Sequence, residues 1–186
     1  YDNDTDLDLF NSNGPINPLG NAIPNILFEN KGRVFELNEK SGLMDYGIAR
    51  GSVHFDFDND GDQDIFVVNQ KPTKDVTYYG GVVGSKLYRN DSSNDNNWVK
   101  IKLKGNQSTT RGLGSRIRIV CGELNMIREV DGGSSHASQN SSIIHFGLGD
   151  NKKIDSLIVT WPGGKTQNIT DIIPNQVIEI EELYIE

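Results

Sequence analysis

Apolar and polar residues alternate in short runs through the second half of the chain. The clearest run is Trp98–Lys104, where apolar residues alternate with lysine. Strict alternation over four to eight residues is typical of a half-buried β-strand. Similar runs, separated by turn residues, predict further strands over residues 116–119, 126–130, 142–146, 156–161, 166–169 and 176–180. We therefore expect a small β-sandwich or barrel here.

In the first half, short apolar runs lie between long polar loops. Ile26–Asn30 and Val34–Leu37 flank Lys31-Gly32, a pattern that predicts a β-hairpin. Ser52–Phe55 and Ile65–Val68 are rich in β-branched and aromatic residues and predict two more strands. The expected fold class is therefore all-β throughout.

An acidic stretch separates the last two of these runs. Aspartates occupy alternate positions of nine residues: Asp56, Asp58, Asp60, Asp62 and Asp64. A calcium loop supplies oxygens from positions 1, 3 and 5, a backbone carbonyl from position 7, and a carboxylate from position 9 in this spacing. The pattern predicts a Ca²⁺ site in which Asp62 offers its carbonyl and the other four offer carboxylates. Gly61 stands at position 6, where the chain turns sharply.

The EF-hand is the main alternative interpretation of this stretch. An EF-hand needs an acidic residue at position 12, where this chain has Val67, and it needs flanking helices. The strand-like flanks instead favour a calcium loop between two β-strands. A solvated acidic turn that binds no metal remains the other possibility.

The acidic stretch has an incomplete copy near the start of the chain. Its aspartates match the main loop at an offset of 56 residues, and they are Asp2, Asp4, Asp6 and Asp8. Leu27–Asn30 and Leu87–Asn90 also correspond, at an offset of 60. A period near 60 with several strands per unit favours propeller blades. The copy lacks the first ligand and has Thr5 in place of glycine, so we expect an incomplete metal site in a piece of a longer protein.

Composition narrows the possible functions. The 186 residues carry a net charge of −8, which argues against non-specific nucleic-acid binding. No apolar run reaches the length of a membrane span, and one cysteine cannot form an internal disulfide. A polar stretch over residues 91–97 predicts a boundary between domains at 1–92 and 93–186.

Two families share these motifs. Residues 1–92 resemble FG-GAP/VCBS repeats, the integrin-α-like propeller blades, on the basis of Leu27-Phe28-Glu29-Asn30, Phe35, Ser41-Gly42-Leu43 and the loop 56–64. Residues 97–181 resemble the ASPIC and UnbV domain, whose matching motifs are Gly112–Arg116, Arg128–Val130, Gly132–Ser134, His145–Gly149 and Trp161–Gly164. The resemblance implies an extracellular, cell-surface or periplasmic, calcium-binding, non-catalytic protein. Two partial repeats cannot close a propeller by themselves.

We therefore expect a calcium-stabilised binding or adhesion module for a protein or carbohydrate ligand. Tyr78 and Tyr79 lie in a Gly-rich loop and could stack on such a ligand. The alternative is an accessory or catalytic part of a glycan-degrading enzyme, which would need two paired carboxylates in a cleft. Outside the acidic loops the sequence shows no such pair, so no catalytic residue is predicted. A purely structural stalk is a third possibility.

Overall fold

The computed structural model describes residues 1–15, 23–71, 84–92, 95–133 and 135–184. These residues form β-strands and no helix, and therefore no helix that is long and apolar enough to cross a membrane. The chain divides into two compact units. The first consists of Tyr1, Asp6–Asp91 and Ser135–Gln139, and the second of Asp2–Thr5, Ser92–Ser134 and Asn140–Glu186.

The first unit contains eight described strands in three antiparallel sheets. They are β1 (Leu9–Asn11), β2 (Ile23–Pro24), β3 (Ile26–Asn30), β4 (Phe35–Leu37), β5 (Tyr46–Gly47), β6 (Ala49–Phe55), β7 (Asp64–Asn69) and β8 (Lys86–Tyr88). The sheet orders are β1-β3-β4, β2-β5 and β6-β7-β8. The predicted hairpin corresponds to β3 and β4, and the Lys31 N–H donates to the Val34 carbonyl across its turn, at 2.8 Å.

The two three-stranded sheets of this unit repeat one another. Each residue of β1 has its counterpart 56 positions later in β7, and each β3 residue that pairs with β1 has its counterpart 60 positions later in β8. Every partner pair corresponds: Leu9–Phe28, Phe10–Leu27 and Asn11–Ile26 in the first sheet, and Ile65–Tyr88, Phe66–Leu87 and Val67–Lys86 in the second. The repeat seen in the sequence is therefore also a repeat of strand register.

A small apolar core lies in the first unit and takes residues from both sheets. Its buried members are Leu27, Leu43, Ala49, Ile65 and Val67. Leu27 comes from the first sheet, whereas Ile65 and Val67 come from the second. Burying these side chains against one another is the main apolar stabilisation of this unit.

The second unit is built from two sheets around a larger core. Its strands are β9 (Asn97–Lys104), β10 (Arg116–Cys121), β11 (Leu124–Glu129), β12 (Ile144–Gly149), β13 (Ile154–Thr160), β14 (Thr166–Ile172) and β15 (Gln176–Glu181). The sheet orders are β11-β10-β13-β14 and β12-β9-β15, in which β15 runs parallel to β9. Alternate residues of both sheets, including Ile101, Ile117, Phe146 and Leu157, are fully buried in one cluster.

The all-β prediction is thus confirmed for the residues that the structure describes. Among its described residues, the two sheets of the second unit share no strand pairing, so they form no closed barrel. Cys121 ends β10 and is buried in the core, as expected for a small apolar residue.

A close backbone approach explains two glycines of the second unit. A Cβ atom at Gly147 would lie 2.5 Å from Asn3 Cα, so no larger residue fits without a backbone shift. The Gly149 N–H donates to the Asn3 carbonyl at 2.7 Å, and Gly149 has a φ of 57°. His145 Nε2 lies 2.6 Å from Asn3 Oδ1. The segment Asp2–Thr5 is therefore held against β12.

The second unit also holds a buried carboxylate that no sequence pattern indicated. Glu182 is 3% exposed and accepts hydrogen bonds from the backbone N–H groups of Asn106, Gln107 and Ser108, at 2.7–2.9 Å. The Ser108 hydroxyl donates to its other oxygen at 3.0 Å. Burial alone would raise the pKa of Glu182, but these donors hold its pKa below the usual value.

Candidate metal centre

The acidic loop joins two paired strands at their common end. Phe55 and Asp64 are opposite one another in β6 and β7, and residues 56–63 connect them. Asn59 and Gly61 have φ values of 66° and 101°, which fold the loop back on itself. Because only glycine adopts a φ near 100° without steric cost, Gly61 suits this position. Its N–H donates to Asp56 Oδ2 at 2.9 Å.

The loop brings together three of the predicted ligands. One carboxylate oxygen from each of Asp56, Asp58 and Asp64 lies within 4.8 Å of the other two. Calcium–oxygen distances of about 2.3–2.6 Å place ligand oxygens at most about 5 Å apart across the ion. All three oxygens can therefore contact one calcium ion. No second group of this kind is found elsewhere in the described part of the chain.

Asp64 is the most deeply buried of the three. It is 1% exposed, and its two oxygens accept N–H groups from Phe57 at 2.7 Å and Asn90 at 2.8 Å. The Asn90 side chain also donates to the Gln63 carbonyl at 3.3 Å. Asp64 is therefore fixed before any ion binds, whereas Asp58 is exposed and Asp56 is intermediate.

The other two aspartates of the loop lie outside this group of three. Asp60 Oδ1 accepts the Asp62 N–H at 2.9 Å. Burial, together with the negative charges of Asp60, Asp56 and Asp64, raises the pKa of Asp62 to about 6. Part of this shift comes from the neighbouring carboxylates, and a divalent cation would relieve their repulsion.

The first acidic stretch has the same backbone. Asn3 and Thr5, the counterparts of Asn59 and Gly61, have φ values of 60° and 90°. A β-branched residue rarely adopts such a φ, so the threonine is under steric strain. The repeated loop therefore keeps its conformation even where its sequence disfavours it.

The last aspartate of the first stretch, Asp8, is also held in the same way. Asp8 accepts the Asn30 N–H at 3.0 Å and the Tyr1 nitrogen at 2.9 Å, as Asp64 accepts Asn90 and Phe57. The Asn30 side chain donates to the Leu7 carbonyl at 3.2 Å, which repeats the contact between Asn90 and Gln63. Asp2 and Asp4 belong to the second unit, whereas Asp6 and Asp8 belong to the first.

The sequence interpretation missed the role of Asn30 and Asn90. Both close aligned stretches, Leu27–Asn30 and Leu87–Asn90, and both donate two hydrogen bonds to an acidic loop. Their shared position was visible in the sequence, but a backbone N–H that holds a carboxylate leaves no compositional signal. Tyr78 and Tyr79, the predicted ligand-stacking residues, lie outside the described residues.

A shallow cavity of the first unit contains two acids, Glu29 and Glu39, together with Leu37, Asn38 and Lys40. Hydrogen bonds from Lys31 and Tyr1 lower the pKa of Glu29. A general acid of a glycosidase needs the opposite shift. The lowered pKa of Glu29 therefore gives no support to acid catalysis in this cavity.

Comparison with known proteins finds a family match for part of the chain and several similar proteins. Residues 105–184 match the family described as ASPIC and UnbV, so an ASPIC and UnbV domain is present in the second unit and that prediction is confirmed. The chain is also similar to cartilage acidic protein 1 from Homo sapiens, with 27% identity over 188 residues that cover 97% of the chain. The Mus musculus and Xenopus tropicalis proteins of the same name are each 26% identical over 97% of the chain. The chain spans 27% of the length of these relatives.

Proposed function

We propose that this chain is a calcium-stabilised, non-catalytic binding module. The observation that carries the proposal is the group of oxygens from Asp56, Asp58 and Asp64 within 4.8 Å of one another. Asp56 follows the last residue of β6 and Asp64 is the first residue of β7. An ion bound by both therefore links the two strands at their common end and stabilises the loop between them.

The proposed site is structural because of its ligands. Carboxylates dominate the coordination shell, with Asp60 and the Asp62 carbonyl as the further predicted ligands, so little room is left for a substrate. Sites of the extracellular type bind calcium with dissociation constants of about 10⁻⁴–10⁻³ M. A few millimolar calcium would then add about 0.6–2 kcal/mol of stability.

We also propose that the two sheets of the first unit are FG-GAP/VCBS-type repeats of a partial β-propeller. Equivalent residues are buried on one sheet and exposed on the other: Leu27 is 2% exposed but Leu87 is 41%, and Ile65 is 9% exposed but Leu9 is 50%. The face that is buried in one sheet is therefore exposed in the other. In a stack of repeats, one face of each sheet packs against the opposite face of the next sheet, and this burial pattern is consistent with that arrangement.

We infer the location of the protein and the class of its ligand from these two proposals. A site of this affinity fills only where calcium is millimolar, which favours an extracellular, cell-surface or periplasmic location. The ligand class that we propose is a protein or carbohydrate bound at the surface. The second candidate, an accessory or catalytic part of a glycan-degrading enzyme, would need two paired carboxylates in a cleft. The cavity with Glu29 and Glu39 offers two acids, but the pKa of Glu29 is lowered rather than raised.

Thermal unfolding with and without calcium tests the proposed function. Calcium at a few millimolar should raise the melting temperature of the chain, and a chelator should remove the increase. Asp58→Ala should abolish the increase, because it removes one of the three clustered carboxylates. Since Asp58 is exposed, its loss should leave the calcium-free fold intact. Asp60→Ala should weaken it if position 5 supplies a ligand.

Glu123→Gln is the matched control, since it removes one negative charge from an exposed turn of the second unit. It should keep the full calcium response. An identical melting curve with calcium and with chelator would refute the proposal. An equal response in Asp58→Ala would assign the calcium effect to another part of the protein.

A further inference from the structure

Two aspartates of the chain are followed directly by glycine. One pair is Asp60-Gly61 in the acidic loop, and the other is Asp131-Gly132, which comes just after β11. Such an aspartate can isomerise, because glycine has no side chain that would hinder an attack by its own amide nitrogen on the neighbouring carboxyl group. The two pairs share one dipeptide sequence, so any difference in their reactivity reports on their surroundings.

The reaction transfers the main chain from one carboxyl group of the aspartate to the other. The glycine nitrogen bonds to the aspartate Cγ, and the amide hydrogen leaves with the carboxyl hydroxyl group as water. The cyclic imide that results takes up one water molecule at either of its carbonyl groups. When it opens at the original main-chain carbonyl, the product is isoaspartate, whose backbone runs through Cβ and Cγ. Water is the only co-reactant, and the mass of the chain is unchanged.

The carboxyl group is turned towards the following chain in both pairs. Asp60 Oδ1 accepts the Asp62 N–H at 2.9 Å, and Asp131 Oδ1 accepts the Gly133 N–H at 3.2 Å. Both acids are also exposed. The carbon that is attacked is therefore presented similarly in the two pairs, and a difference must come from the attacking nitrogen.

The amide nitrogen of Gly61 is bound within the acidic loop. Its N–H donates to Asp56 Oδ2 at 2.9 Å, and the residue is buried. The nitrogen attacks only after it has lost its hydrogen, so a hydrogen bond that retains the N–H suppresses the reaction, as it suppresses amide hydrogen exchange. Because the acceptor is a carboxylate, this bond is one of the stronger kinds in proteins. The fold therefore protects Asp60.

The amide nitrogen of Gly132 has no such protection. The residue is exposed, and its N–H has no acceptor in the described part of the chain. A Cβ atom at Gly132 would meet nothing within 4 Å, so no neighbouring group obstructs the movement of its nitrogen towards Asp131. The second pair therefore combines the reactive sequence with an unprotected nucleophile.

We propose that Asp131 is a modification site, at which the folded protein forms isoaspartate. The residue before it can hold the strand end in place, because the Val130 N–H donates to the Ser115 carbonyl at 2.9 Å and its carbonyl accepts the Gly114 N–H at 2.8 Å. Val130 is also fully buried. The covalent change is therefore confined to the exposed turn beyond β11, and the fold of the second unit accommodates it.

The product carries a group that a modifying enzyme can recognise. Isomerisation releases the α-carboxylate of residue 131 from the main chain, and the exposure of the turn places this carboxylate in solvent. An isoaspartyl methyltransferase esterifies such a group, since the methyl group passes from the sulfonium of S-adenosylmethionine to a carboxylate oxygen. The partner that we infer is therefore an enzyme of this class. The inference concerns a covalent change and does not depend on the metal site.

Timed incubation of the 186-residue chain at neutral pH in a few millimolar calcium tests the proposal. The chain is then digested, and isoaspartate in each peptide is measured by methylation with labelled S-adenosylmethionine. Isoaspartate should accumulate at residue 131 at least about ten-fold faster than at residue 60, the ratio that corresponds to one hydrogen bond to a charged group. In concentrated denaturant the two sites should react at similar rates, because the fold no longer distinguishes them.

Gly132→Ala is the matched variant, because its methyl group hinders the attack and meets no other part of the fold. It should slow the reaction at residue 131 and leave residue 60 unchanged. Equal rates at the two sites of the folded chain would overturn the proposal, as would isoaspartate that forms at residue 131 only in denaturant. A melting temperature that falls as isoaspartate accumulates would also contradict it, since the fold would then not accommodate the product.

Discussion

The two acidic loops of this chain have the same backbone and different surroundings. Both have left-handed residues at equivalent positions, and both end in an aspartate held by two main-chain nitrogens. Only the loop 56–64 brings three carboxylates within reach of one ion, whereas the segment Asp2–Thr5 contacts β12 of the second unit. The comparison shows that the loop conformation does not depend on a complete ligand set.

The largest expected effect is the loss of the buried aspartate. Asp64→Ala removes a buried carboxylate that accepts two part-buried N–H groups, which should destabilise the first unit by about 2–5 kcal/mol. Asp8→Ala removes the equivalent pair of bonds and should cost a similar amount in chelator. Denaturant unfolding in calcium should separate the two variants, because only Asp64→Ala also loses the calcium contribution. An equal calcium response in both would show that the loops do not differ.

Within the second unit, the packing of Asn3 against β12 depends on the absence of a side chain at Gly147. Gly147→Ala places a Cβ 2.5 Å from Asn3 Cα, and the backbone shift should cost about 1–3 kcal/mol. Gly132→Ala is the control, since a Cβ there meets nothing within 4 Å, and its effect should stay within about 0.5 kcal/mol. Chemical denaturation measures both. Equal stability of the two variants would contradict the close approach.

Exchanging the residues at the turn of each loop should shift stability in opposite directions. Gly61→Thr forces a β-branched residue to a φ near 101° and should cost about 1–2 kcal/mol. Thr5→Gly removes the corresponding strain at 90° and should gain at most about 1 kcal/mol, because glycine also loses more entropy on folding. Thermal unfolding of both variants tests the shared conformation. A stabilising Gly61→Thr would contradict it.

The smallest effect concerns the buried carboxylate of the second unit. The pKa of Glu182 is lower when folded than when unfolded, so its ionised form stabilises the fold. That contribution is fully present above the usual glutamate pKa of about 4.3 and is lost as pH falls through the folded pKa. Glu182→Gln should therefore be less stable than the wild type at neutral pH, and the difference should shrink on acidification. A difference that is independent of pH would contradict this assignment.

Much of the fold was predictable because its signals are local. Alternation located the strand of Trp98–Lys104, and the offset of 56 residues aligned the acidic loops before their shared register was known. The contact between Asn3 and Gly147 was not predictable, because it joins residues far apart in sequence through backbone atoms alone. Glu182 was missed for the same reason.

The candidate site was predictable in position but not in detail. The spacing of the aspartates located the loop and its turn at Gly61. It did not distinguish Asp58, which joins the group of three oxygens, from Asp60, which accepts a hydrogen bond from the Asp62 N–H instead. Side-chain directions within a loop depend on hydrogen bonds that a one-dimensional spacing does not contain.

Calorimetric titration with calcium tests the central claim most directly. The account predicts one calcium ion per chain for the wild type, none for Asp58→Ala, and an unchanged titration for Asp2→Ala in the first loop. A wild-type chain that binds no calcium, or an Asp58→Ala chain that binds it as tightly as the wild type, would contradict the assignment of the loop 56–64.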